Sequence, residues 1–286
     1  MKIEEINALI LNRLHRLEKQ ENINILFALE SGSRAWGMAS RDSDFDVRFI
    51  YTYPRDQYGK LFPKVKQNID MEKEVIKNQD GVIVPLDGVG WDITKYLQLL
   101  QKSNPSAIEW AVSNEYYITH KFNQEIKSVI NRFNRFTLVK HYTSLGFSNY
   151  NRFIKGRQKV KGKKYLYVLR GILNAFHIYI YNSIPSMNFS KVVESLHNFE
   201  EITIPSELES VLPLDGELTE LIDLMIKNKR EALEMDNIDP LRGLNELIDK
   251  SFELLQSSEI NSKLEQRISP GFDEEYLEVL FQKYTS

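Results

Sequence analysis

The run Leu26-Phe-Ala-Leu-Glu-Ser-Gly-Ser-Arg-Ala-Trp-Gly37, followed by Asp42-Ser-Asp-Phe-Asp-Val47 and the apolar residues up to Tyr53, decides how this chain is read. An apolar strand enters a Gly-Ser turn, a polar connection follows, and a second strand opens on two carboxylates. Strand side chains alternate faces with a period of two, so Asp44 and Asp46 point to the same side. Acids forced together at a strand edge repel each other, and a divalent cation between them relieves the repulsion. Gly32, directly after the strand, has no Cβ and lets a phosphate approach the backbone; Ser33 adds a hydroxyl. Mg²⁺ prefers oxygen ligands and shares them with substrate phosphates, so the turn and the carboxylates suit one site.

Outward from this stretch, Ile3, Ile6, Ile10, Leu14 and Leu17 recur at helical spacing and predict an amphipathic helix over residues 3–19. Ile23 to Leu29 is a buried strand, and Phe45 to Tyr53 is a second one stopped by Pro54. Residues 54–72 read as a surface excursion. Val75-Ile76 and Val82-Ile-Val84 flank a turn at Asn78-Gln-Asp-Gly81 and predict a hairpin leading toward Asp87. Gly88 and Gly90 then precede an expected helix from Trp91 to Leu100, with Asp92 as its N-cap. Asn104-Pro105 ends that helix, and Ala107 to Val112 starts another.

Beyond about residue 121 the strand signals fade. Tyr165, Leu166, Leu169, Ile172, Leu173, Phe176 and Ile180 keep helical spacing within residues 135–182, with Tyr165, Leu166 and Leu169 expected in the core. Glu201 to Asp215 reads as a connection, and Leu218 to Glu234 and Leu241 to Leu255 as further helices. The expected architecture is α+β: a small mixed sheet with flanking helices over residues 1–120, then an α-helical domain over 121–286.

Composition narrows the function classes. The chain has 286 residues and a formal net charge of −3, without the basic field of a general nucleic-acid binder. It has no cysteine, which excludes disulfides, thiolate nucleophiles and cysteine zinc sites. The N-terminal pattern is charged and amphipathic rather than that of a signal peptide, and no apolar run reaches membrane-spanning length. A cytoplasmic location away from membranes is the expectation. The five histidines are scattered without ligand spacing, Gly162-Lys-Lys164 is no P-loop, and Gly88-Val-Gly90 is no dinucleotide fingerprint.

The apolar strand, the Gly-Ser pair, ten intervening residues and Asp44-Phe-Asp46 resemble the signature of the DNA polymerase β-like nucleotidyltransferase superfamily. Gly90-Trp-Asp-Ile-Thr-Lys95, Ser103-Asn-Pro105 with Glu109-Trp110, and Lys163-Lys-Tyr-Leu-Tyr-Val-Leu-Arg170 extend the resemblance to its YcgL-like, RNA-repair-pathway-associated branch. The resemblance implies a third carboxylate on a later strand. Asp87, after the Val82–Val84 run, is preferred over Asp92, for which an N-cap role is an adequate explanation. It also implies two-metal transfer of a nucleoside monophosphate from an NTP to an acceptor hydroxyl, with pyrophosphate leaving. Asp44, Asp46 and Asp87 would be catalytic and hold Mg²⁺ (or Mn²⁺). Gly32, Ser33 and Arg34 would hold the phosphates, with Arg41 as a further partner.

A second region stands out in a net acidic chain. Arg152, Lys155, Arg157, Lys159, Lys161, Lys163, Lys164 and Arg170 occupy a stretch without an acid, interleaved with Phe153, Tyr165 and Tyr167. Such clustering suits a phosphate-bearing partner, and a solvated helix face is the plain alternative. Lys163, Lys164, Tyr167 and Arg170, which match the family's motif, are expected to bind nucleotide, across a cleft between the two halves. An RNA end is one acceptor this allows, beside a protein side chain or a small molecule. A non-catalytic nucleotide- or RNA-binding module, or an antitoxin-like partner protein of the same fold, is the alternative function.

Overall fold

The computed structural model describes residues 1–197, 208, 211, 216–231, 238–266 and 271–286. Two compact units result: Met1–Phe133 together with Pro270–Ser286, and Asn134–Ser269. The first extends past residue 120 and takes in the C-terminal segment.

In the first unit, helix α1 (Ile3–Glu21) leads to strand β1 (Asn24–Glu30), the one-turn helix α2 (Gly32–Ala35) and strand β2 (Phe45–Thr52). A short helix α3 (Arg55–Tyr58) precedes the hairpin of β3 (Asn68–Lys77) and β4 (Ile83–Asp92). Helices α4 (Ile93–Gln101) and α5 (Pro105–Val112), strand β5 (Tyr116–Ile118), helix α6 (Lys121–Val129) and a 3₁₀ turn follow. The sheet order is β3-β4-β2-β1-β5. β2 pairs antiparallel with β1 and parallel with β4, so the sheet is mixed. The fold is α+β, with this mixed sheet and flanking helices followed by a helical region.

The alternation of β2 explains both layers. Phe45, Val47, Phe49 and Tyr51 are buried in one core with Ile6, Ile10 and Leu14 of α1. On the other face, Phe27 of β1 meets the rings of Tyr96, Tyr116 and Phe122. Asp46 and Arg48, at the intervening positions of β2, therefore face away from α1.

The hairpin is longer than its apolar residues suggested. β3 starts at Asn68, inside the expected surface excursion, and β4 continues through both glycines to Asp92. Gly88 and Gly90 are strand residues, and α4 begins at Ile93 instead of Trp91. Crowding supplies the reason for glycine at position 90. A Cβ there would lie 2.0–2.5 Å from three ring atoms of Phe49, a side chain with no exposed surface. Gly90→Ala should therefore lower stability by about 2–3 kcal/mol as the ring is forced aside, checked by denaturant unfolding.

Helix α13 (Glu274–Tyr284) packs back onto the first unit. Phe281 meets Tyr58, Tyr284 meets Phe122, and Lys283 Nζ lies 2.6 Å from Glu125 Oε1.

The second unit is helical among its described residues: α7 (Arg135–Phe153), α8 (Lys163–Tyr181), α9 (Phe189–His197), α10 (Gly216–Arg230), α11 (Arg242–Leu255) and α12 (Ser258–Glu265). Its axis is α8. Tyr165, Leu166 and Leu169 are buried there as expected, and the Tyr165 hydroxyl donates to Asn245 Oδ1 at 2.9 Å. Most of the expected connection at 201–215, and the end of the helix expected to reach Glu234, lie outside the described residues.

Candidate active site

β1 ends at Glu30, and the chain turns sharply at Ser31-Gly32. Gly32 has φ +62°, and a Cβ on it would stand 2.1 Å from Asp46 Oδ2. Glycine is required on both counts, conformation and contact. The Ser31 amide donates to the Asp46 carbonyl at 2.9 Å, so the turn is tied to the carboxylate strand. Ser33 Oγ donates to Ser43 Oγ at 3.0 Å. Arg34 closes the connection: its guanidinium donates to the carbonyls of Ser43 (2.7 Å) and Asp44 (2.9 Å) and lies 3.7 Å over the Phe45 ring. Arg34 thus holds the loop that presents Asp44. Arg41 is exposed, and its carbonyl accepts from Asn78 Nδ2.

The parallel register of β2 and β4 sets Asp46 directly opposite Asp87. In-register residues of adjacent strands share a face, so the two carboxylates do too. Burial raises the Asp44 carboxyl, and the charges of Asp46, Asp87 and then Asp42 raise it further. Asp44, Asp46 and Asp87 therefore lie within one electrostatic field. Asp92 does not join them. It is five residues beyond Asp87 on the same strand, pairs with Tyr51 and points to the α1 side, fully buried. There it caps α4, accepting from the Thr94 amide at 2.9 Å and the Tyr58 hydroxyl at 2.7 Å. Burial raises its carboxyl above the ordinary range against those hydrogen bonds.

Two residues the sequence reading passed over belong to this site. Arg48 follows Asp46 by two positions and shares its face; its guanidinium lies 3.3 Å from Asp46 Oδ1 and 3.5 Å from Asp87 Oδ1. The two-residue period that paired Asp44 with Asp46 was signal enough to find it. Glu30 is a buried acid closing an apolar strand. Its Oε1 accepts the Asp46 amide at 2.9 Å, and its Oε2 accepts from the Tyr117 hydroxyl. It thereby fixes the backbone of the carboxylate strand where the β1–β2 pairing gives way to the turn. A cavity of about 200 Å³ beside it is lined by Glu30, Arg34, Phe45 and Tyr117.

Burial pushes the Glu30 carboxyl from 4.5 up to about 7, outweighing the Tyr117 and Asp46 hydrogen bonds. Between these values the unfolded chain releases a proton that the folded chain keeps, so stability falls as pH rises. The loss is absent below pH 4.5 and complete above about pH 7, amounting to about 3 kcal/mol. Glu30→Gln should remove this component. Denaturant unfolding at pH 5 and pH 8 should show the variant gaining on the wild type by about that amount at the higher pH.

In the second unit, the basic run divides. Lys155 pairs with Asp249 (3.2 Å) and Lys159 with Asp239 (3.0 Å), while Arg157 donates to the Arg152 carbonyl. These are structural uses of charge. Arg170 is buried within α8. Lys163, Lys164 and Tyr167 are half-buried, and Lys164 Nζ lies 4.1 Å over the Phe153 ring and 5.3 Å over Tyr167. Burial, then Lys163, Lys161 and Arg152, lowers the Lys164 ammonium below its ordinary range. Lys229 of α10 approaches the Tyr167 ring at 5.7 Å, an addition the sequence did not signal. The structure thus gathers Lys163, Lys164 and Tyr167 in one unit, and Gly32, Ser33, Asp44, Asp46 and Asp87 in the other.

Among the described residues, no three acidic or imidazole side chains converge closely enough to ligate one ion as they stand. The donor chemistry nonetheless fits a hard cation. It consists of carboxylate oxygens from adjacent strands, with a guanidinium already drawn to them.

A mixed sheet with a Gly-Ser turn after its first strand and carboxylates on two neighbouring strands defines a polymerase β-like class. The sequence pattern of the RNA repair pathway DNA polymerase beta family matches residues 6–278, and the chain belongs to that family. It is 31% identical over 260 residues to the uncharacterized protein YcgL of Bacillus subtilis (strain 168), covering 90% of each chain. No solved structure matches. Membership places the chain in a nucleotidyltransferase-like class of function. No described helix is long and apolar enough to cross a membrane.

Proposed function

We propose that the chain transfers a nucleoside monophosphate from an NTP to an acceptor hydroxyl, releasing pyrophosphate. The observation that carries this reading is the parallel register that sets Asp46 beside Asp87, with Asp44 in their field and the Gly32 turn against Asp46. Asp44, Asp46 and Asp87 would hold Mg²⁺ (or Mn²⁺). Bound there, the cation would offset the triphosphate's charge and ease deprotonation of the acceptor.

The chain's own part is positioning. Gly32 keeps the turn close to Asp46, Glu30 fixes the Asp46 amide, and Arg34 holds the 43–44 connection against Phe45. Fixing the backbone in this way leaves only side chains to adjust when substrate binds, and such preorganisation is where electrostatic catalysis gains. Lys163, Lys164 and Tyr167 supply cations and an aromatic face suited to phosphates and bases. An RNA end fits that chemistry and the family's RNA repair description.

Incubating the full chain with Mg²⁺ and each labelled NTP, alone and with RNA, tests the proposal. Pyrophosphate release that depends on Asp44 and Asp46 supports it. Nucleotide binding without release would favour the non-catalytic module instead.

A further inference from the structure

The strand that opens the site sets an acid and a base on one face, Asp46 and Arg48, with Asp44 just before its first residue. Arg48 Nη1 donates to its neighbour's carbonyl, Val47, at 2.9 Å, which anchors the guanidinium over the strand. From that anchor the fork reaches one carboxylate on each strand, Asp46 at 3.3 Å and Asp87 at 3.5 Å. Both contacts are longer than the 2.7–2.9 Å of a strong charge-assisted hydrogen bond. The backbone contact is the tight one and the carboxylate contacts are the loose ones. The three side chains retain 23–33% of their exposure, so water and ions reach them. Lys73 approaches Asp87 at 3.9 Å, but its side chain is 84% exposed and contributes less.

We propose that Arg48 is a built-in counterion, which joins Asp46 to Asp87 in the metal-free protein and competes with a divalent cation for the same oxygens. This rests on the reading of these carboxylates as a metal site. Two carboxylates held in register across adjacent strands need positive charge between them. A guanidinium on a long side chain supplies it reversibly, keeping the site assembled before a metal arrives.

Thermal melting of the full chain, in chelator and along a Mn²⁺ titration, tests the proposal. Arg48→Gln should melt below the wild type in chelator, because Asp46 and Asp87 then lose the guanidinium that joins them. It should also reach its half-maximal Mn²⁺-induced rise at roughly fivefold lower Mn²⁺, the factor expected when a partly exposed ion pair no longer competes. Arg48→Lys, which keeps the charge but not the fork, should fall between. If Arg48→Gln does not fold in chelator, the lysine variant decides by the same titration. An unchanged or higher Mn²⁺ requirement, with the response still lost in Asp46→Asn, would overturn the role of Arg48 alone. A wild type that does not respond to Mn²⁺, or a response that survives Asp46→Asn, would overturn the metal site and this proposal with it.

Discussion

Asp87→Asn is expected to reduce nucleotidyl transfer by about 10³-fold or more, while Asp92→Ala leaves the rate per folded molecule within about threefold. The two acids lie on one strand, five residues apart, and an odd separation puts them on opposite faces. Asp87 shares its face with Asp46; Asp92 turns toward the α1 core, committed to Thr94 and Tyr58. Losing that cap and leaving the Tyr58 hydroxyl without its acceptor should instead lower stability by about 2 kcal/mol. Initial rates and denaturant unfolding on both variants separate the roles. The reverse pattern, with Asp92→Ala inactive though folded, would move the third carboxylate to Asp92.

Gly32→Ala should reduce transfer by about 10²-fold, because catalysis tolerates little misplacement of a reacting group. Any Cβ at this position lies 2.1 Å from Asp46 Oδ2, so either the turn or the carboxylate has to move. The backbone at φ +62° also disfavours an L side chain, adding about 1–2 kcal/mol of destabilisation. A melting-temperature drop of a few degrees, together with a fall in turnover far larger than the loss of folded protein, is the expected pairing. Full activity in this variant would show that the Gly32–Asp46 contact does not govern the carboxylate.

Much of this architecture could be read from local pattern. α1, β1 and β2 declare themselves through the spacing of Ile6, Ile10 and Leu14, through the apolar run of β1 and through the aromatic and β-branched residues of β2. The two-residue period sets Asp46 and Arg48 on one face, whereas Asp44 lies just before the strand, where that period does not apply. β4 was harder, because glycine at 88 and 90 reads as a loop until Phe49 is seen lying across Gly90. The partnership of Asp46 with Asp87 depends on a parallel pairing between strands well separated in sequence, which no local pattern specifies. Arg34, which the resemblance assigns to the phosphates, also sits on the Ser43 and Asp44 carbonyls and the Phe45 ring, contacts that no local pattern specifies. In the basic run, Lys155 and Lys159 have acidic partners from beyond residue 238, invisible within the run itself.

The most direct measurement is a crystal structure of the full chain soaked with Mn²⁺ and a nonhydrolysable NTP, read by anomalous scattering. A manganese peak is expected in contact with Asp46 and Asp87 oxygens, with the Arg48 guanidinium withdrawn from them and the triphosphate beside Gly32 and Ser33. A triphosphate bound elsewhere, or no manganese at those carboxylates, would contradict this reading of the site.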